Sequence, residues 1–173
     1  GIRTELAELR KLSPSVRANG VVAPDETAQT AVTARIMGYV EKLHMDFTGK
    51  PVRKGQALLE LYSPDLVSTQ EEYLQALTYE ATLPAETQKL SDLSKSRLLN
   101  WGIPESELKT LETSKKVKRT LTLVSPSDGL ISEKMVVEGQ AVEAGMTLFR
   151  ITNLSTVWVL ADVYQNDLSL VKV

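Results

Sequence analysis

The sequence predicts a mixed, mainly β protein. Its centre is a small β-sandwich built from two copies of one half-motif, opened between the copies by a helical insertion. Three observations carry this. A glycine-punctuated strand pattern occurs twice, about ninety residues apart. The apolar period changes from strand to helix between the copies. Strand alternation resumes after the second copy and runs toward the end of the chain, as the start of a further β-unit.

The repeat sets the architecture, because internal self-similarity overrides local readings. In the first copy Gly38 is followed by Val40, Gly49, Gly55, Leu58, Leu59 and Leu61; in the second, Gly129 is followed by Ile131, Gly139, Gly145, Leu148, Phe149 and Ile151. All six glycines read as structural turns of the repeat. Glycine supplies positive φ in "DFTGK", "VRKG", "VEGQ" and "VEAG" at no steric cost. In "GYVEKLHM", Tyr39, Glu41 and His44 fall opposite Val40 and Leu43. "ALLEL" and "TLFRI" are the closing strands. A unit this short cannot bury its apolar face alone, so the expected solution is a pseudo-twofold sandwich with one copy per half.

Between the copies, Ser63-Pro64 is a helix-start signal, with proline at the first helical position. Apolar residues then fall at Leu66, Tyr73, Leu74, Leu77 and Ala81. Thr82-Leu83-Pro84 interrupts this stripe. A second stripe uses Leu90, Leu93, Leu98 and Trp101 and stops at Gly102. Pro104-Glu105 starts a third, with Leu108 and Leu111. A first helix of about 20 residues spans roughly 30 Å, and two breaks in the remainder favour a compact three-segment bundle over a long two-helix hairpin. "TSKKVKR" is the extended return to the sandwich. Leu74, Leu77, Leu90 and Leu93 are expected to form the internal packing seam. Upstream, Ser15 to Thr33 reads as an extended strand with a turn at Pro24-Asp25. Downstream, Val157, Val159 and Ala161 alternate with Trp158, Leu160 and Asp162, with no partner strand evident. Gly1 is not an ordinary native start, so the sequence reads as a mature or trimmed fragment, with more sequence expected beyond Val173.

Composition narrows the function classes. The chain has 173 residues, a net charge of -2 and no cysteine. Near-neutral charge gives no basic surface for nucleic acid, and without cysteine there are no disulfides, thiolate metal sites or cysteine nucleophiles. His44 is the only histidine; alone beside Met45 and Asp46 it reads as a surface or turn residue, with no catalytic partners. Glu71-Glu72 reads as a solvated helix face. Met37, Met45, Met135 and Met146 are assigned to gap filling or surface positions. No catalytic, cofactor or metal-ligating set emerges. Candidate partner contacts fall on the helical turns, where a scaffold projects its loops: Leu83, Pro84 and Ala85 at one, Trp101 and Ile103 at the other. For Trp101 a plug at the bundle end competes with an interface anchor.

"ARIMGYVEKLHMDFTGKPVRKGQALLELYSPDL", a helical insertion and then "LVSPSDGLISEKMVVEGQAVEAGMTLFRITNLSTVWVLADVYQNDL" resemble the periplasmic adaptors, or membrane fusion proteins, of tripartite efflux pumps. "ELYSPDLVSTQEEYLQAL" and "LLNWGIPESELKTLE" are similar to the heavy-metal, CusB-like branch of the RND adaptors. The resemblance covers about Gly20 to Val173. It implies a barrel-sandwich hybrid (biotinyl/lipoyl-like) domain with an inserted helical hairpin or three-helix bundle, plus the beginning of a β-barrel domain. The implied boundaries are 1–32 for N-terminal strands of the barrel or membrane-proximal region, 33–63 and 119–154 for the lipoyl-like halves, 64–118 for the helices and 155–173 for the barrel start. The implied role is non-enzymatic, in the periplasm at the inner membrane. Its implied partners are an inner-membrane RND transporter, an outer-membrane channel and further copies in a ring. Metal ions would be handled through regions outside this chain, since Gly1 to Ile36 contain no Met, His or Cys although soft cations favour thioether or thiolate ligands. Two other classes share the doubled motif: adaptors of ABC or type I exporters, and biotin or lipoate carriers. A carrier needs a lysine at a tight hairpin tip, where this chain has Leu61-Tyr62-Ser63-Pro64.

Overall fold

The computed structural model describes residues 1, 3, 4, 6, 7, 15–82 and 90–171, with the backbone alone at 90, 168 and 169. The β-strands are β1 (Asn19–Pro24), β2 (Gln29–Thr33), β3 (Gly38–Leu43), β4 (Pro51–Val52), β5 (Ala57–Tyr62), β6 (Thr120–Val124), β7 (Gly129–Lys134), β8 (Ala141–Val142), β9 (Thr147–Thr152) and β10 (Val157–Asp162). Among the described residues three α-helices stand between β5 and β6: α1 (Pro64–Glu80), α2 (Leu90–Asn100) and α3 (Glu105–Ser114).

Two four-stranded antiparallel sheets form the sandwich, in the orders β2-β9-β7-β4 and β6-β5-β3-β8. The expectation of one copy per half is corrected here: each sheet takes two strands from each copy. The turn glycines cause the exchange. Gly49 N–H donates to Ile131 O at 2.8 Å and Gly55 N–H to Ser125 O at 2.8 Å. In mirror fashion, Gly139 N–H donates to Val40 O at 2.8 Å and Gly145 N–H to Ala34 O at 2.7 Å. These four glycines have φ between 82° and 91°, which side-chain-bearing residues rarely adopt. Each copy's tight turns therefore dock on the other copy, carrying β4 and β8 across with them.

Gly38 and Gly129 are not turn residues. They open β3 and β7, and their missing side chains answer a different need, close backbone approach. A Cβ at Gly38 would lie 2.2 Å from Tyr62 O, and one at Gly129 2.7 Å from Thr152 O.

Four bulges bend the long strands, in two symmetry-related pairs. Glu41 and Ser132 are the extra residues on β3 and β7, and Leu58 and Leu148 those on β5 and β9. A bulge interrupts the two-residue period, so Leu58 with Leu59, and Leu148 with Phe149, are all fully buried although adjacent. Val32, Val40, Leu61, Ile131 and Ile151 complete the sandwich interior. The same contiguous cluster takes in Leu66, Tyr73, Leu98, Ile103, Leu108 and Leu111 from the helices.

β2 pairs with β9, so the sandwich begins at Gln29, inside the segment that the sequence reading placed before it. β10 has a partner that the sequence did not reveal: it pairs antiparallel with β1 from Asn19↔Asp162 to Pro24↔Val157. All six residues of β10 are exposed. This ribbon leaves the sandwich where β9 and β2 meet, the position that the repeat relates to the helical junction between β5 and β6.

Candidate functional site

The half-motif repeat does not account for the helical insertion, whose seating can be followed residue by residue. Ser63 caps α1: its side chain accepts from Leu66 N at 3.4 Å, and Pro64 occupies the first turn, where its missing N–H costs nothing. α1 runs away from the sandwich and α2 returns to it. At the end of α2, Gly102 takes φ 94°, with Gly102 N–H donating to Leu99 O at 2.9 Å and Ile103 N–H to Leu98 O at 3.2 Å. This paired closure is the usual way a glycine ends a helix. A Cβ on Gly102 would lie 3.6 Å from Arg35 Nη1, so the α2–α3 turn rests on the β2–β3 connection of the sandwich.

The candidate contacts fall in different surroundings. Ile103 is only 7% exposed and belongs to the core cluster, and Trp101 is half-buried against it. Both sit at the seat of the bundle. Leu83, Pro84 and Ala85 lie outside the described residues, between α1 and α2 in the sequence.

The packing seam also departs from expectation. Leu93 is 77% exposed, while Leu74 and Leu77 are half-buried and Leu90 has no described side chain. Polar side chains are buried along α1 and α2 beside the apolar ones: Thr69, Gln70, Glu80, Ser91 and Ser94. A polar seam is stable only when its groups are satisfied. Glu80, 7% exposed, accepts from Ser91 N at 2.7 Å and from Ser91 Oγ at 2.8 Å, placing a carboxylate at the start of α2 where the helix dipole favours it. Arg97 reaches Glu72 and Thr69, each at 3.5 Å. Glu71 and Glu72 are exposed, as expected of a solvated face.

Gln70 ties the return strand to α1. Its Nε2 donates to Leu66 O at 3.0 Å and to Lys118 O at 2.8 Å, and its Oε1 accepts from Lys118 N at 3.0 Å. Nothing in the apolar stripe could reveal this residue, because its role is to pair with a backbone segment 48 residues away. Gln70→Ala is expected to cost about 1–3 kcal/mol through the unsatisfied Lys118 groups, read as a lowered urea midpoint. Gln70→Glu will recover little of it, since a carboxylate cannot donate to Lys118 O.

α3 is pinned to α1 by Tyr73, whose hydroxyl donates to Glu112 Oε1 at 2.6 Å. Burial first, and then the adjacent Glu112 carboxylate, holds this hydroxyl protonated well above its ordinary value of 10.0. The folded state thus holds this proton more tightly than the unfolded chain does. The contribution is complete below about pH 10 and is lost as pH rises through the higher folded-state value. Tyr73→Phe removes that component, so in a comparison of urea midpoints between pH 8 and pH 11 the variant should lose less stability than the parent.

His44 pairs with Glu60 at 3.1 Å, both half-buried. Met45 is buried, Met146 packs against the core, and Met37 and Met135 are exposed. Among the described residues no group of three or more His, Cys, Asp or Glu gathers as a metal cage, and no helix is long and apolar enough to cross a membrane.

Two interleaved half-motifs with a helical insertion at one junction can be compared with known proteins directly. Residues 29–152 match the family described as "CusB, barrel-sandwich hybrid domain". The chain belongs to this family. It is 30% identical over 172 residues to the cation efflux system protein CusB of Escherichia coli O6:H1, covering 99% of this chain and 41% of that protein. It is 27% identical to the putative membrane fusion protein SilB of Salmonella typhimurium, covering 99% and 39%. With the cobalt-zinc-cadmium resistance protein CzcB of Cupriavidus metallidurans it shares 24% identity, covering 100% and 37%. The chain spans about two fifths of the length of these curated relatives. Among solved structures, ZneB from Cupriavidus metallidurans superposes with a TM-score of 0.58 at 16% identity, over 89% of this chain and 72% of that one. The periplasmic adaptor protein EmrA does so at 0.50 and 16%, over 95% and 83%. The family match begins at β2 and ends at β9, the limits of the sandwich in the structure.

Proposed function

We propose that this chain is the barrel-sandwich and helical portion of a periplasmic adaptor in a tripartite heavy-metal efflux system. It links an inner-membrane RND transporter to an outer-membrane channel, works as a ring of copies and performs no catalysis. The observation that carries the reading is the family match across both half-motifs and the insertion between them. The names of the relatives, cation efflux, cobalt-zinc-cadmium resistance and membrane fusion, supply the class of cargo and assembly. In this reading the metal is cargo, and the four methionines of this chain are packing or surface residues.

In this reading the partner-facing end is the α1–α2 end, with Leu83, Pro84 and Ala85; the α2–α3 turn lying against Arg35 supports it. A photo-crosslinking residue at exposed Tyr79, near the far end of α1, is expected to capture the outer-membrane channel in cells, and one at Trp101 is not. Replacing 64–118 of the whole protein by a short Gly-Ser turn should abolish resistance to exported cations in a metal-sensitive host. Undiminished resistance would sink the proposal.

A further inference from the structure

The sandwich is open along one seam. β2 ends one sheet and β6 ends the other, and a groove of about 310 Å³ lies between them. In antiparallel pairs alternate residues face their partner strand, so every second N–H and C=O on β2 and on β6 points into this groove. No backbone hydrogen bond joins the two strands among the described residues. Unpaired edges of this kind are templates for an added strand. Thr30 and Pro126 lie together at one end, so the start of β2 neighbours the end of β6. A strand laid between them would run parallel to one wall and antiparallel to the other.

The groove also states what it would take. Its floor is apolar, from Val32, Leu121 and Leu123. A cation stands toward each end, Arg35 beside Trp101 at one and Lys54 past Pro126 at the other, and neither side chain has an ion pair among the described residues. Acidic groups are near both: Asp128 is occupied in accepting from Lys54 N at 2.8 Å, and Asp65 and Glu143 line a separate depression on the other side of Arg35. A second copy of this chain is a poor occupant. Each of its described strands already pairs on at least one side, whereas this seam needs a strand free on both.

We propose that the β2/β6 groove binds an extended segment of a partner protein by strand addition, with a carboxylate side chain at each end of a run of about five residues, the length of either wall. Recognition is divided: backbone pairing holds the segment, the apolar floor takes its inward side chains, and Arg35 and Lys54 fix its ends. This surface is distinct from the partner-facing α1–α2 end proposed above and does not depend on it.

The test uses the full chain carrying Trp158→Phe, which leaves Trp101 in the groove as the only tryptophan. The probe is an acetylated and amidated Glu-Val-Thr-Val-Thr-Val-Glu peptide. A saturable change in Trp101 emission is expected, with a Kd on the order of 0.1–1 mM. Methylating alternate backbone nitrogens of the peptide should abolish it. Lys54→Gln, which keeps the backbone N–H that Asp128 accepts, should weaken it by roughly fivefold to tenfold while leaving the melting curve unchanged, and exchanging both glutamates for lysines should weaken it at least as much. The proposal is overturned if no saturable change occurs up to about ten times the expected Kd, or if the N-methylated peptide binds as well as its parent.

Discussion

Gly38→Ala will destabilise this protein more than Gly49→Ala, although only Gly49 has a positive φ. A Cβ at Gly38 meets Tyr62 O at 2.2 Å, Tyr62 C at 3.1 Å and Leu61 Cγ at 3.3 Å. Tyr62 cannot retreat easily. It pairs with Tyr39 on one side and Thr120 on the other, and the next residue is the Ser63 cap of α1. The expected cost is at least about 3 kcal/mol, as for other insertions into packed structure, or a fall in Tm of roughly 6–12 °C. At Gly49 a Cβ meets nothing within 4 Å, so only the left-handed backbone is penalised, by about 1–2 kcal/mol. Gly129→Ala should resemble Gly38→Ala in kind, with Thr152 O at 2.7 Å. Urea denaturation of the three variants gives the order, and a larger loss at Gly49 than at Gly38 would contradict the close-approach account.

Leu98→Ala is the second variant with a large expected effect, about 2–5 kcal/mol for a fully buried leucine. Its interest lies in what else unfolds. Leu98 is on α2, yet the hydrophobic cluster runs without a break from the helices into the sandwich. Helix and sandwich should therefore melt together in the variant as in the parent. Helical ellipticity at 222 nm and the near-ultraviolet aromatic signal should fall in one coincident transition. Two separated transitions would mean that the insertion is an independent unit attached by its termini, and that the continuity of the core has no energetic weight.

Much of the scaffold was legible because glycine and paired apolar residues announce their reasons locally. Gly49, Gly55, Gly139 and Gly145 recur at one offset and all adopt positive φ. The adjacent pairs Leu58-Leu59 and Leu148-Phe149 record a bulge in each copy. Strand exchange was not legible. Which copy's turn docks on which strand is a long-range choice, and both arrangements satisfy the same local pattern. The helical seam was misread for a related reason. A leucine stripe suggests burial, but α1 and α2 also bury Thr69, Gln70, Glu80, Ser91 and Ser94, whose polar side chains conceal their burial until their hydrogen-bond partners are known. Exposed Leu93 is the counterpart of that error. Of the candidate contacts, Ile103 and Trp101 looked like tip residues because a helix–turn–helix has the same sequence signature whether its turn points outward or is seated on a sheet. Gly102 lying against Arg35 distinguishes the two. A three-segment insertion implies as much, since its second turn must come back to where the first helix began.

The exchange of β4 and β8 has a consequence in time. A growing chain completes the first half-motif at Tyr62, but β3, paired with β5 on one side, lacks its second flanking strand until Val142 exists, since Gly38↔Val142 and Tyr39↔Ala141 are its outer pairs. At about 10 residues per second the intervening stretch takes on the order of 10 s to synthesise. For that interval the amino-terminal copy is an open hairpin with exposed edges, while α1 to α3 are already being made. The three helices, which bring Leu66, Leu98 and Leu108 to the common core, are therefore complete in the order of synthesis before the sandwich can close.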